Sequence, residues 1–361
     1  MNWDPYFLFQ EVSNFNQHEF EMLCHMIDEE CPNIPQKPKL TFFVKQNFLM
    51  IQLASAIHEA PISEFNSVLS HFQQVSYPCN IVHIQVSMNS DMEEEFISAI
   101  PDLALVISSI KGNKIQRFPL IVECAFSQPH QKVFEKVTML IAARPEVLMV
   151  VIVLINESPH YQSPFKKSLA WKTFANHQDS LDLTDFTSLC DVDSGDVDVG
   201  KDFMVPIVIA GHTWCCISSV DYYVWLKHTP NTGDEGSSPS DWSVHGELPR
   251  NKNLDHFDRL LNKGLEMIWL DIIWFCQEIA ICHNLPADYS CLEQSICLPP
   301  SWDHFRSALV NVREIATHTH FMHWYKDSFR GKKQCTTEPN IKPGNSGDQE
   351  VEPICKCTIG G

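Results

Sequence analysis

Between residues 40 and 160, apolar and polar positions fall into segments whose spacing predicts distinct elements. Phe65, Val68, Leu69 and Phe72 recur at i, i+3, i+4 and i+7, the stripe of an amphipathic helix within Ile62–Val75. The run Phe42–Leu53 before it is apolar at helical or mixed spacing. Three runs rich in β-branched residues, Ile81–Ser87, Asp102–Ser109 and Leu120–Ser127, read as strands. From His130 to Arg144 the residues Val133, Phe134, Val137, Leu140 and Ile141 share one helical face. Pro145 ends that helix, and Val147–Ile155 forms a fourth strand. Helix, three strands, helix and strand in this order predict a mixed sheet with a crossover helix, an α/β or α+β core.

The flanks have a different texture. In residues 1–30 the apolar positions Phe15, Phe20, Leu23, Met26 and Ile27 alternate with acids, which predicts one amphipathic helix with an acidic face. Residues 31–39 hold three prolines and read as a linker. Residues 179–202 form an acid-rich loop, Met204–Trp225 reads as strands, and Asn231–Asp241 as a turn or linker. Leu254–Cys282 and Trp302–Tyr325 are long amphipathic helices, and the polar stretch 331–361 reads as a disordered tail. Four segments result: an acidic helix and linker over 1–36, a core over 37–160, an accessory α+β region over 161–330, and the tail over 331–361.

A chain of 361 residues with 44% hydrophobic residues supports one large domain or two ordinary ones, and bulk disorder is excluded. The net charge of −19 opposes indiscriminate binding to nucleic acid. Its distribution narrows that conclusion: residues 1–36 carry −7, residues 37–160 only −2 and the remainder −10. The middle can approach a polyanion that the flanks would repel. Fourteen cysteines without any CxxC spacing argue against a zinc ribbon and against a small secreted disulfide scaffold. A reducing intracellular compartment, cytoplasmic or nuclear, is expected. No apolar run approaches the roughly 20 residues of a membrane span, and the first residues lack the pattern of a secretory signal.

The chemistry concentrates in Pro101–Gln128. A hairpin centred between Gly112 and Asn113 sets Asp102 directly opposite Glu123, with Cβ atoms about 4.5–5.5 Å apart. Pro119 lacks a ladder donor and can impose a bulge in that register. Both acids sit in apolar strands, where an unpaired carboxylate is costly. A divalent cation relieves that cost, and Mg²⁺ is held through one or two carboxylates.

Pro101-Asp102, then Glu123 in LIVECAFSQ, then a lysine-bearing helix and a hydrophobic strand ending Ile155-Asn156-Glu157 resemble the PD-(D/E)xK nuclease superfamily. Within it the stretch is most similar to the restriction-endonuclease-like branch and its fungal relatives. The resemblance covers roughly residues 40–160 and implies a restriction-endonuclease-like mixed sheet flanked by helices. It also implies a nuclease that cleaves DNA or RNA phosphodiesters with Mg²⁺ or Mn²⁺. Asp102, Glu123 and the backbone carbonyl of Cys124 would be the metal ligands. One departure matters: the family's lysine two residues after the glutamate is Ala125 here. Lys136 or Lys132 of the following helix would replace it, and Glu59, with Glu64 as alternate, would be the upstream acid.

Each residue also has a plainer reading. Asp102 can start a strand as a turn acid, and Glu123 can form a structural ion pair with Lys132 or Lys136. Lys132 and Lys136 suit a solvated helix face, Glu59 and Glu64 suit the surface, and Ser127 and Gln128 suit a helix cap. Asp191–Asp202 has calcium-loop character without the closing glutamate, and His318, His320 and His323 lack an HExxH frame. Cys355 and Cys357 are spare thiols, and Trp269 and Trp274 belong to a packing or interaction face. The alternative to an enzyme is a nuclease fold that has lost its chemistry and binds protein or nucleic acid.

Overall fold

The computed structural model describes residues 9–30, 37–53, 55–74, 80–88, 92–95, 97–110, 115–126, 128–177, 179–191, 202–227, 243–285 and 300–330. In chain order the strands and helices begin with β1 (Phe9–Ser13), α1 (Gln17–His25), β2 (Lys39–Phe43), β3 (Phe48–Gln52), α2 (Ala56–Leu69) and α3 (His71–Gln74). They continue with β4 (Val82–Met88), β5 (Met92–Glu93), β6 (Ile97–Ala99), β7 (Leu103–Ser109), β8 (Gln116–Phe126), α4 (His130–Ala143) and β9 (Met149–Glu157). The last part holds α5 (Leu169–Ala175), α6 (Leu183–Thr187), β10 (Ile207–Ile209), β11 (His212–Cys215), β12 (Ile217–Leu226), β13 (Ser243–Leu248), α7 (Leu254–Cys282) and α8 (Trp302–Tyr325).

The principal sheet has six strands in the order β13-β12-β9-β8-β7-β4. Only β8 and β9 run parallel, and α4 is the crossover between them. Parallel strands covered on both faces need apolar residues on both, and β8 and β9 are accordingly near-continuous apolar runs. Leu105, Val122, Cys124, Val151 and Val153 point to one face, against α2, α7 and α8. Ala104, Ile121, Ala125, Val150 and Ile152 point to the other, against Val133, Val137 and Leu140 of α4. Phe65 of α2 meets Phe305 of α8 at 5.0 Å between ring centres and Tyr222 of β12 at 6.5 Å. Each such buried side chain contributes roughly 1.5–3 kcal/mol. α7 lies so close to the sheet that a Cβ on Gly264 would collide with Met149 Sδ and Leu226 Cδ2. A second, antiparallel sheet, β1-β3-β2-β6-β5, joins the α4 side through Phe43, Ile97 and Ala99.

Several expectations change here. Residues 1–30 are not one helix: Phe9–Ser13 is a strand paired with β3, and α1 begins only after the Asn16 cap. The linker read over 31–39 stops short of Lys39, which starts β2 with its side chain buried. Phe42–Leu53 is a hairpin, turned by Asn47 in the left-handed region at φ 49°. Its strands are short, and β2 is buried throughout, which erases the alternation a strand would otherwise show. The boundary expected at residue 160 is no sheet boundary, because β12 and β13 extend the principal sheet beyond β9. The cap expected for α4 is also different. Pro129 occupies the N-cap position without a side-chain bond, and Gln128 is buried.

Ser127, the Gly112-Asn113 turn, most of Asp191–Asp202, Asn231–Asp241, Cys355 and Cys357 lie outside the described residues. Trp269 packs on Phe72 while Trp274 is exposed, and Asp271 and Glu278 of the same helix hold Arg117 at 3.3 and 2.9 Å. His320 stacks on Tyr161 at 4.0 Å and binds the Trp214 carbonyl, and His318 binds the Leu181 carbonyl. Those contacts commit two of the three histidines to packing rather than to zinc. Among the described residues no cysteine is disulfide-bonded, and no helix is long and apolar enough to cross a membrane.

Candidate active site

Leu103 pairs with Val122 and Ala104 with Ile121, so the ladder carries Asp102 opposite Glu123. The register slips only between Leu105 and Ile107, opposite the stretch that holds Pro119. Residues opposed in an antiparallel pair share a face. Glu123 therefore projects with Ile121 and Ala125 toward α4, where Lys136 meets it. Asp102 is 0% exposed and Glu123 is 1% exposed.

Asp102 is ringed by donors. Oδ1 receives Lys39 Nζ at 2.6 Å, and Oδ2 receives the Cys124 amide at 2.7 Å and His58 Nε2 at 3.1 Å. Ser55 caps α2 by accepting the His58 amide, which fixes the first turn of the helix beside the strand end. His58 Nδ1 then lies 3.2 Å from Glu59 Oε1, so one imidazole bridges two carboxylates. Lys39 Nζ is also 3.5 Å from Glu59 Oε1. Among the described residues Glu123 pairs with one cation. Lys136 Nζ stands 2.9 Å from each of its carboxylate oxygens and 3.0 Å from the Ile100 carbonyl. Only the contact with Oε2 has hydrogen-bond geometry, so Oε1 is a buried acceptor that receives no hydrogen bond.

These surroundings split the two acids. Burial alone would raise Asp102, but the charges of His58, Lys39 and Lys136 outweigh it and hold its pKa far below the usual aspartate range. Burial pushes Glu123 up to about 7, and Asp102 adds to that against the opposing pull of Lys136. For His58 burial works downward, yet the Asp102 carboxylate raises its pKa to about 9. Burial likewise opposes the Lys39 ammonium, and Asp102 and Glu59 reverse the balance and raise it. Three carboxylates thus face three cationic side chains.

No known protein family, curated protein or solved structure matches this chain.

Of the residues singled out from the sequence, Asp102, Glu123, Lys136 and Glu59 converge. Cys124 contributes through its amide, and its thiol is pushed up by burial. Lys132 stands apart. It pairs with Glu135 at 3.2 Å and lies over the Phe48 ring, so the turn between it and Lys136 points it away from Glu123. Glu64 is half-buried further along α2, where its charge is felt at Tyr222. Two participants were not anticipated, Lys39 and His58. Lys39 stood at the end of a proline-rich stretch, and only its place before the apolar run LTFF could have marked it. His58 adjoins Glu59, and a histidine beside an acid in a first helical turn was its only signal.

The residue types suit a hard divalent cation: carboxylate oxygens from three elements, one of them, Glu123 Oε1, a buried acceptor without a donor. Among the described residues no group of three or more His, Cys, Asp or Glu side chains is placed so as to hold a metal ion. Lys39 and Lys136 currently neutralise the acids.

Proposed function

We propose that this chain is a metal-dependent nuclease of the PD-(D/E)xK type, acting on phosphodiester bonds of DNA or RNA with Mg²⁺ or Mn²⁺. The observation that carries the reading is the opposition of Asp102 and Glu123 across the ends of two paired strands, with Lys136 supplied from the next helix. This is the arrangement that the resemblance implies for a chain with Ala125 in the usual lysine position. Asp102, Glu123 and Glu59 would hold the ion, which when bound polarises the phosphate and acidifies an attacking water. Asp102 stays ionised because three donors fix it, and so it provides a permanent negative centre. Glu123, near neutrality, can hold or release a proton at Oε1. Lys136 places a positive charge beside it that can offset negative charge developing on the phosphate. His58 holds Asp102 and Glu59 in fixed relation.

A second reading, a nuclease fold retained as a binding module, is favoured by the nearly complete burial of both acids and their matching by cations. Incubating the full chain with Mn²⁺ or Mg²⁺ and single- and double-stranded DNA and RNA separates the two. Divalent-dependent cleavage lost in Glu123→Gln and Asp102→Asn supports the enzyme. No cleavage of any substrate, or cleavage that survives Glu123→Ala, overturns it.

A further inference from the structure

We propose that Lys39 is a built-in counter-cation whose ammonium holds the position between Asp102 and Glu59 that a divalent ion takes on binding. The proposal rests on the metal-dependent reading above and assigns a role to a residue which that reading leaves unused.

The argument compares the three cationic side chains at the site. Lys136 is tied to both oxygens of Glu123 and to the Ile100 carbonyl. His58 is a rigid ring clasped by a carboxylate at each nitrogen. Lys39 reaches in from the second sheet and, among the described residues, its ammonium is held by the carboxylates of Asp102 and Glu59 without the backbone carbonyl that anchors Lys136, so on its four-carbon stem it can withdraw without moving the backbone. Its departure would expose one particular atom. Asp102 Oδ2 is already committed to the Cys124 amide and His58, whereas the hydrogen bond at Oδ1 comes from Lys39.

A divalent ion binds carboxylate oxygens at about 2.0–2.6 Å. The ammonium sits 2.6 Å from Asp102 Oδ1 and 3.5 Å from Glu59 Oε1, so ammonium and ion exclude one another. Glu59 is the acid most open to solvent, with its side chain 32% exposed. The displaced ammonium would therefore remain tethered on the side from which a phosphate approaches. There it would supply a positive charge that Ala125 does not.

The test is a calorimetric titration of Mn²⁺ into the wild-type chain and Lys39→Met. It is paired with acetic anhydride labelling of Lys39 in the wild type, read by peptide mass spectrometry, with and without saturating Mn²⁺. A neighbouring unit charge changes a carboxylate's affinity for a cation by a factor of about 10 to 1,000, so Lys39→Met should bind Mn²⁺ about tenfold more tightly or better. Lys39 labelling in the wild type should rise several-fold with Mn²⁺. A lysine that stays in place would leave the labelling unmoved, although its removal would still tighten Mn²⁺ binding by relieving repulsion, so the labelling is the deciding readout. If Lys39→Met does not fold, the wild-type labelling decides alone. Mn²⁺-dependent cleavage that needs Glu123, together with unmoved Lys39 labelling, defeats this inference and leaves the nuclease reading standing. Failure of Mn²⁺ to bind either protein, with no cleavage, defeats both.

Discussion

His58 should make the protein lose stability between pH 7 and 9. Its imidazole is 2% exposed, lies between Asp102 and Glu59, and has a pKa raised from 6.5 to about 9. Below pH 6.5 both folded and unfolded chains carry the proton, and the stabilisation is complete. Between 6.5 and 9 the folded chain keeps a proton that the unfolded chain has released, so stability falls as pH rises. At about 1.4 kcal/mol per pH unit the full window is worth about 3 kcal/mol, of which about 2 kcal/mol is lost from pH 7 to 9. Few neighbours interfere. Glu123 and Glu157, each raised to about 7, act between 4.5 and 7. Asp102 and Glu59, both lowered, lose their contribution only in acid, and Lys39, raised from 10.5, acts at higher pH. Urea unfolding at pH 7, 8 and 9 measures the slope. His58→Gln, which retains a donor to Asp102 but cannot titrate, should be nearly flat from pH 7 to 8 and lose much less than the wild type by pH 9, where the thiols of Cys124, Cys215 and Cys216, raised by burial from 9.0, begin to act in both proteins. A wild-type loss under about 0.5 kcal/mol, or an equal slope in His58→Gln, would refute the assignment of the raised pKa to this contact.

Lys136→Met should cost about 1–3 kcal/mol in equilibrium unfolding, because Glu123 loses its partner and takes up a proton in an apolar layer, and the double variant with Glu123→Gln should recover part of that; equal losses in single and double variants would contradict a coupled pair. Lys132→Ala should leave stability within about 1 kcal/mol and any Mn²⁺-dependent cleavage intact, since its ion pair is on the surface, and a large drop in cleavage would restore it to the site. Gly264→Ala should lower the unfolding free energy measured in urea by about 1–3 kcal/mol as the helix is forced off Met149 and Leu226, and an unchanged value would mean the sheet gives way there freely.

What could be read from the sequence was what is local. Leu254–Cys282 and Trp302–Tyr325 were predicted at the limits they have, because long apolar stripes of helical period bounded by polar residues define their own ends. The opposition of Asp102 and Glu123 agrees with the pairing of Leu103 with Val122, but nearer the loop Ile107 pairs with Arg117 and Ser108 with Gln116, one residue off the register read from the sequence, so the irregularity beside Pro119 is part of what sets the two acids opposite. The irregularity near Pro119 followed from its missing amide. The non-local pairings were hidden. β12 joins β9 through pairs such as Val220 with Ile155, across a long intervening stretch, so no period in either strand could have announced it. Lys39 reaches Asp102 across 63 positions and His58 across 44, and neither side chain differs in sequence from a surface residue. Burial converts such residues into site components, and burial is set by the second sheet and by the start of α2.

The two acids are opposite in register yet unequal in chemistry, and the inequality has a structural origin. Asp102 precedes β7, where its side chain can fold back onto the Cys124 amide while two cations approach from β2 and α2. Glu123 lies inside β8, where its backbone pairs with Ile152 of β9, and among the described residues the side chain that reaches it is Lys136 of α4. A carboxylate held by three donors is fixed in charge, whereas one held by a single ammonium in an apolar layer stays close to its protonated form. In the metal-free protein the proton should therefore leave Glu123 as pH passes about 7 while Asp102 stays charged, so divalent-ion binding should strengthen over that range. Placing the mobile proton on the strand interior and the permanent charge at the strand end keeps the fixed anion beside Glu59, toward solvent, and the proton carrier beside the lysine that offsets it.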